Sequence, residues 1–152
     1  MNILKKGEKA PLFEGFDQDG NSVKLLDYLG KKLVVFFYPK ADTPGCTAEA
    51  CDLNLNYERF VAQNYALLGV SADSQKAQKK FHTKYGFQYP LMADENRAVI
   101  EAFGVWGPKK FMGREFDGIH RTTFVIDELG FIMEVISDVK TKIHASQLLP
   151  TL

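Results

Sequence analysis

The two cysteines of the chain, Cys46 and Cys51, lie in one short stretch whose surroundings favour redox chemistry. Cys46 follows Pro44 and Gly45, where a strand-like apolar run gives way to a helical pattern. Free backbone N–H groups and the positive end of the helix dipole meet at a helix N-terminus, and they favour the thiolate. The thiolate is the nucleophilic form of cysteine. We therefore expect a nucleophile at Cys46; a buried, inert cysteine is the alternative.

Thr43 and Pro39 precede this cysteine and have the right chemistry to support it. The Thr43 hydroxyl can donate a hydrogen bond to a bound oxygen atom and accept one from another donor. It can equally cap the helix that follows, and the two roles are compatible. Pro39 and Pro44 have fixed backbone angles, so we expect them to shape the loop and shield the thiolate from water.

Two charged residues, Arg121 and Glu49, are further candidates for the site. Arg121 begins an apolar strand-like run, where a guanidinium is costly to bury without a partner. Close to Cys46 it would favour the thiolate and offer several fixed donors; otherwise it is an ordinary arginine at a strand end. Glu49 lies three residues after Cys46. From position alone it could be a first-turn carboxylate favoured by the helix dipole.

This set of residues resembles the active site of the peroxiredoxins. Their signature P-x-x-x-T-x-x-C is matched by Pro39, Thr43 and Cys46. The segment after it resembles the bacterioferritin-comigratory, or peroxiredoxin Q, class. The residues that carry this second resemblance are Thr47, Glu49 and Cys51, residues 104–107, and the segment 118–127 with Arg121.

The resemblance implies a thiol peroxidase that reduces hydrogen peroxide and organic hydroperoxides. Cys46 would become a sulfenic acid, and Cys51 would condense with it to form an intramolecular disulfide. A thioredoxin-like dithiol protein would then reduce that disulfide. The resemblance also gives Glu49 the role of orienting Arg121. No metal, haem or flavin is implied, and we expect a monomer or a weak homodimer.

Two other functions are compatible with parts of the sequence. A thiol–disulfide oxidoreductase usually has a C-x2-C motif, which the C-x4-C spacing of Cys46 and Cys51 does not match. A binding or chaperone module on a thioredoxin-like scaffold would not need Thr43, Cys46 and Arg121 together. Consumption of peroxide by the reduced protein distinguishes all three.

Composition narrows the class of protein. The 152 residues suit one domain, 1–152, and 45% of them are hydrophobic, which is enough for a sizeable core. The formal net charge is +0, so nothing indicates a nucleic-acid or membrane partner. The N-terminus lacks a secretory pattern, and we expect a cytoplasmic protein with a redox-active cysteine pair. The histidines His82, His120 and His144 show no metal-ligand spacing.

The predicted elements form an α/β sandwich, which matches the thioredoxin-like fold that the resemblance implies: a central mixed β-sheet flanked by helices, with an N-terminal β-hairpin. The helix over 47–64 is expected to pack through Leu53, Tyr57, Phe60 and Val61. Ser74 is expected to cap a polar helix. The remaining predicted ranges are a hairpin over 10–25, strands over 33–38, 66–71, 122–126 and 131–136, and helices over 74–84, 96–103 and 142–149, the last truncated by Pro150.

The spacing of the two cysteines has a mechanical consequence if both lie on one regular helix. Two residues five positions apart on an α-helix have Cα atoms about 8–9 Å apart. A disulfide allows at most about 7 Å between the Cα atoms. The helix would then have to unwind before the disulfide forms. The small side chains of Ala48 and Ala50 predict that this costs little.

Overall fold

The computed structural model describes residues 1–149, and a five-stranded mixed sheet lies at its centre. The strands are β1 (Glu14–Phe16), β2 (Ser22–Lys24), β3 (Lys32–Phe37), β4 (Tyr65–Ser71), β5 (Leu91–Ala93), β6 (Trp106–Phe111), β7 (Arg114–Ile119), β8 (Thr122–Ile126) and β9 (Ile132–Ile136). The helices are α1 (Pro44–Leu55), α2 (Tyr57–Ala62), α3 (Gln75–Tyr85), α4 (Ala98–Ala102) and α5 (His144–Leu148). The order in the central sheet is β5-β4-β3-β8-β9.

Strand β3 is covered on both faces, as its continuous apolar sequence predicts. Leu33, Val35 and Phe37 enter the hydrophobic cluster on one side of the sheet. Val34 and Phe36 point to the other side, in the cluster that also contains Cys46. Because side chains alternate along a strand, β3 contributes side chains to both hydrophobic clusters, one on each face of the sheet.

The register of the sheet places the candidate site at one edge. Strand β3 runs parallel to β4 and antiparallel to β8, with Phe37 opposite Thr122. The residue after β3, Tyr38, and the residue before β8, Arg121, therefore leave the sheet at the same end. The N-terminus of α1 follows after a short loop at this end.

Helix α1 differs from its predicted bounds. It begins at Pro44 rather than at residue 47, and it ends at Leu55, where Asn56 adopts non-helical angles before α2. Leu53 and Phe60 are fully buried as predicted, but Val61 is 51% exposed and lies outside the core. Leu53 and Phe60, seven positions apart, lie on the same buried face, whereas Val61 is one position further round the helix and falls outside it.

Two further pairings were not predicted. Strands β6 and β7 form an antiparallel hairpin whose turn contains Met112 with a positive φ of 52° and Gly113 with a φ of 79°. Strand β5 adds a short parallel edge beside β4. The predicted N-terminal hairpin is present as β1 and β2.

The remaining predicted elements are close to their observed bounds. Ser74 caps α3 by accepting a hydrogen bond from the Ala77 backbone N–H at 3.1 Å. The last helix is shorter than predicted, because a 3₁₀ turn over Thr141–Ile143 precedes α5. Pro150 lies outside the described residues. Within residues 1–149, the helices are too short or too polar to cross a bilayer.

Candidate active site

Cys46 lies in the first turn of α1, as the position of Pro44 and Gly45 predicts. Pro44 occupies the first turn of the helix, where its missing N–H removes no helical hydrogen bond. The Cys46 side chain is buried at 1% exposure, and both cysteines are free thiols. The sulfur is thus placed at the positive end of the helix dipole and away from bulk water.

The guanidinium of Arg121 joins Cys46 to Glu49. Its Nη2 donates a hydrogen bond to Cys46 Sγ at 3.3 Å. Its Nη1 donates to Glu49 Oε1 at 2.7 Å. Burial acts to lower the pKa of Arg121, but the facing groups Cys46 and Glu49 raise it above the usual arginine value. The side chain is therefore a permanent cation held by two partners, and the surface alternative for Arg121 is excluded.

Glu49 is fully buried, so it is not a solvent-exposed carboxylate at a helix end. Burial raises its pKa to about 7, and the neighbouring Arg121 charge only partly opposes that shift. Its second oxygen, Oε2, accepts no hydrogen bond from the described residues. His144 Nε2 lies 3.6 Å from that oxygen.

Glycine at position 45 gives Arg121 room to reach the sulfur. A Cβ at Gly45 would lie 3.2 Å from Arg121 Nη2, the atom that donates to Cys46. A side chain here would therefore push the guanidinium away from the thiol. The sequence indicated only a turn at Pro44 and Gly45. The space that Gly45 leaves for the guanidinium could not be predicted, because Arg121 is distant in sequence.

The Thr43 hydroxyl does not cap α1. It donates to the Lys40 carbonyl at 2.7 Å and makes no side-chain bond to the helix, although Thr43 is the N-cap residue. The capping role predicted as one option is therefore wrong. Since the donated bond uses its proton, the hydroxyl oxygen is left with lone pairs for an incoming donor. Pro39 lies in the same loop and is half-buried.

Cys51 lies on α1 five residues beyond Cys46, on the same regular helix. It is partly buried, and burial raises the pKa of the Cys51 thiol. Its surroundings therefore favour the protonated thiol. Among residues 1–149, no group of three or more His, Cys, Asp or Glu side chains is arranged to hold a metal ion.

Comparison with known proteins agrees with this geometry. Residues 6–135 match the AhpC/TSA family. The chain belongs to this family. It is 46% identical over 144 residues to the peroxiredoxin Bcp of Escherichia coli strain K12, a match that covers 95% of the chain and 92% of that protein. The predicted resemblance to the bacterioferritin-comigratory, or peroxiredoxin Q, class of peroxiredoxins is thereby confirmed.

Solved structures of peroxiredoxins confirm the thioredoxin-like fold. A cysteine-to-serine mutant of PrxQ from Xylella fastidiosa superposes with a TM-score of 0.91 at 32% identity, covering 97% of this chain and 94% of that one. A structure of the Xanthomonas campestris bacterioferritin comigratory protein, concerned with its alkyl peroxide reduction activity, gives a TM-score of 0.87 at 32% identity, covering 95% and 94%.

Removing the guanidinium tests the bridge between Cys46 and Glu49. Arg121→Ala should lower the thiolate fraction at neutral pH and slow oxidation of Cys46 on the order of a hundredfold, because a fixed cationic donor is lost. Arg121→Lys should recover only part, since lysine keeps the charge but not the rigid fork. Thiolate absorbance against pH and stopped-flow oxidation rates measure the two effects.

The matched control is Arg59→Ala, which removes an exposed arginine from α2. It should leave both quantities as they are in the unmodified protein. An Arg121→Ala variant with an unchanged thiolate titration and an unchanged oxidation rate would show that Arg121 has no part in the chemistry.

Proposed function

We propose that the protein is a thiol-dependent peroxidase in which Cys46 is the nucleophile. The observation that carries this proposal is the contact between the buried Cys46 sulfur and the Arg121 guanidinium at 3.3 Å. A thiol at a helix N-terminus and beside a fixed cation is favoured as thiolate. Such a group attacks a weak O–O bond far faster than an ordinary cysteine.

In the first step the Cys46 thiolate attacks one peroxide oxygen, and the O–O bond breaks. A new S–O bond gives the sulfenic acid, and the other oxygen leaves with the bonding electrons and takes up a proton to become water or an alcohol. Arg121 is placed to stabilise the charge on the leaving oxygen. Thr43 offers its hydroxyl oxygen to the peroxide proton, and Pro39 keeps the loop rigid at the mouth of the site.

In the second step Cys51 resolves the sulfenic acid. Its thiol attacks the Cys46 sulfur, the S–O bond breaks, and the oxygen leaves as water with the thiol proton. The product is an intramolecular disulfide. A thioredoxin-like dithiol protein then reduces it by thiol–disulfide exchange and is itself oxidised to a disulfide. A cytoplasmic location fits this cycle, because reducing systems there keep thiols free.

The disulfide cannot form on the intact helix. Regular helical geometry puts the Cα atoms of Cys46 and Cys51 about 8–9 Å apart, beyond the roughly 7 Å that a disulfide allows. The N-terminal turns of α1 must unwind first. The sequence predicted a small cost for this, but the structure indicates a larger one, since Ala50 is fully buried and its carbonyl accepts a hydrogen bond from the buried Tyr89 hydroxyl at 2.7 Å. Unwinding also withdraws Glu49 from Arg121.

A cleft beside the site has room for the organic part of a hydroperoxide. Its volume is about 400 Å³, and its wall includes the apolar side chains of Pro39, Trp106, Phe116 and Ile119. Lys109 also lines it, and the pKa of that lysine is lowered by burial and by the Arg121 charge. The cleft therefore lies close to Arg121. Hydrogen peroxide and organic hydroperoxides are the proposed substrates.

The proposed active form is a single domain over 1–152, acting as a monomer or a weak homodimer. All of the proposed site residues come from one chain, so the chemistry does not require a second copy. The neutral formal charge gives no reason to propose a nucleic-acid or membrane partner.

The roles of the two cysteines can be separated by substitution. Cys46→Ser should abolish peroxide reduction, because a serine hydroxyl is a far poorer nucleophile near neutral pH. Cys51→Ser should retain the first oxidation but lose thioredoxin-coupled turnover. Peroxide consumption and sulfenic acid trapping measure the two steps. If Cys51→Ser prevented sulfenic acid formation while Cys46→Ser did not, the assignment would be reversed.

Unwinding can be followed by hydrogen exchange on the reduced and disulfide forms. Amides of residues 47–52 should exchange faster in the disulfide form, because helical hydrogen bonds there are lost. Buried strand β3 is the internal control and should show equal protection in both forms. Equal protection over 47–52 as well would mean that the disulfide forms without unwinding.

The cleft can be tested by shortening one of its walls. Phe116→Ala should lower kcat/KM for cumene hydroperoxide roughly tenfold, the value of one or two methylene contacts, and leave kcat/KM for hydrogen peroxide unchanged. Phe111→Ala is the control, since Phe111 lies on the same hairpin and is exposed like Phe116 but does not line the cleft. An equal loss for both peroxides, or none for cumene hydroperoxide, would place the organic group elsewhere.

A further inference from the structure

A second buried polar group lies behind Glu49, on a different element from Cys46. His144, the first residue of α5, is fully buried, and so is Thr123 of β8. His144 Nε2 lies 2.8 Å from Thr123 Oγ1 and 3.6 Å from Glu49 Oε2. That carboxylate oxygen accepts no hydrogen bond from the described residues, and a buried acceptor left this way is costly.

The hydrogen bonds of His144 define where its first proton is. His144 Nδ1 lies 2.7 Å from Gln147 Oε1. The Gln147 amide is oriented by its Nε2, which donates to the Asp138 carbonyl at 2.9 Å. Since Oε1 can only accept, Nδ1 carries a proton and donates it. The other ring nitrogen, Nε2, is therefore the atom that can accept or hold a second proton, and it faces Glu49.

The charges around Glu49 do not balance without such a proton. Arg121 and Lys109 supply two positive charges, whereas a Cys46 thiolate, an ionised Glu49 and Asp52 would supply three negative ones. Asp52 of the same helix is already held by the Ala145 backbone N–H at 2.8 Å. Burial raises the pKa of Tyr89 well above the ordinary value, so this neighbour stays neutral. Lys109 faces Arg121 from β6, and the Arg121 charge lowers its pKa further after burial.

We propose that Glu49 and His144 share one proton, and that His144 is thereby a positioning residue that leaves the Arg121 charge to Cys46. The proposal rests on the proposed role of Cys46 as nucleophile. With the proton present the pair is neutral as a whole, and Arg121 is balanced by the thiolate. When the pair loses the proton, the Glu49 carboxylate neutralises Arg121, and a thiolate would add an unbalanced buried charge.

The pKa shifts of Glu49 and His144 agree with one shared proton near neutral pH. Burial raises the pKa of Glu49 to about 7, with Arg121 opposing. Burial also lowers the pKa of His144, although its contact with Gln147 opposes that shift. The usual order of the two proton affinities is thus reversed, which favours the shared proton on the Glu49 carboxyl rather than on the imidazole.

The test is the pH dependence of Cys46 oxidation by hydrogen peroxide, measured by stopped flow in His144→Gln. Glutamine cannot take up a proton, but its amide can donate a hydrogen bond to Glu49 Oε2; this favours the carboxylate against the burial that raises its pKa, so Glu49 should be ionised over more of the acid range. The acid limb of the profile should move to higher pH, with a loss of about tenfold on that limb and an unchanged alkaline plateau. His82→Gln, which removes a half-buried histidine from α3, should give the unmodified profile.

A double substitution shows whether the effect passes through Glu49. In a Glu49→Gln background there is no carboxylate to neutralise Arg121, so adding His144→Gln should no longer move the acid limb. A shift that persists in this background would overturn the proposal, as would a superimposable profile in His144→Gln. A loss of equal size at every pH, including the plateau, would show that His144 only supports packing.

A second measurement separates this proposal from the peroxidase proposal. Thiolate absorbance against pH in Cys51→Ser, with and without His144→Gln, reports ionisation of Cys46 without any peroxide. The titration should move to higher pH when His144 is replaced, even if the protein consumed no peroxide at all. Identical titrations would refute the shared proton whatever the catalytic activity is.

Discussion

The contact between the Arg121 guanidinium and its two partners is the interaction on which the rest of the site depends. A thiolate that is buried at 1% exposure is stable only beside a fixed positive charge. A buried guanidinium in turn needs acceptors for its donors, and Glu49 supplies one at 2.7 Å. Helix α1 contributes both acceptors, Cys46 and Glu49, within its first two turns. Arg121, directly before β8, contributes the cation, so this arrangement exists only when helix and sheet are packed together.

The register of the sheet, rather than the loop sequences, brings Arg121 close to the N-terminus of α1. Because β3 and β8 run antiparallel with Phe37 opposite Thr122, the end of one strand meets the start of the other. The chain leaves β3 through Pro39 and reaches α1 within a few residues, whereas β8 is preceded directly by Arg121.

The local chemistry of the site could be predicted from the sequence, whereas contacts between distant segments could not. Cys46 and its helix N-terminus follow from Pro44 and Gly45, and the buried strand β3 follows from its apolar run. The hairpin β6–β7 was missed because its residues do not alternate in polarity, and because its two-residue turn has Met112 at a positive-φ position where asparagine, aspartate or glycine is usual. His144 has no neighbouring motif to mark it. Its proximity to Glu49 arises from the packing of α5 on α1, which no spacing in the sequence reveals.

The break in the helix at Asn56 limits how far unwinding of α1 can extend. Its backbone angles, φ −99° and ψ 12°, interrupt the helical geometry between α1 and α2. Conversion between helix and coil spreads along continuous turns, and an isolated helix of the 12 residues in α1 is only marginally stable in water. Melting that starts at Cys46 therefore has a natural stopping point, while α2 remains anchored by the buried Phe60. The interruption therefore confines cooperative unfolding to α1. The central sheet stays folded, and α1 can pack against it again when it refolds.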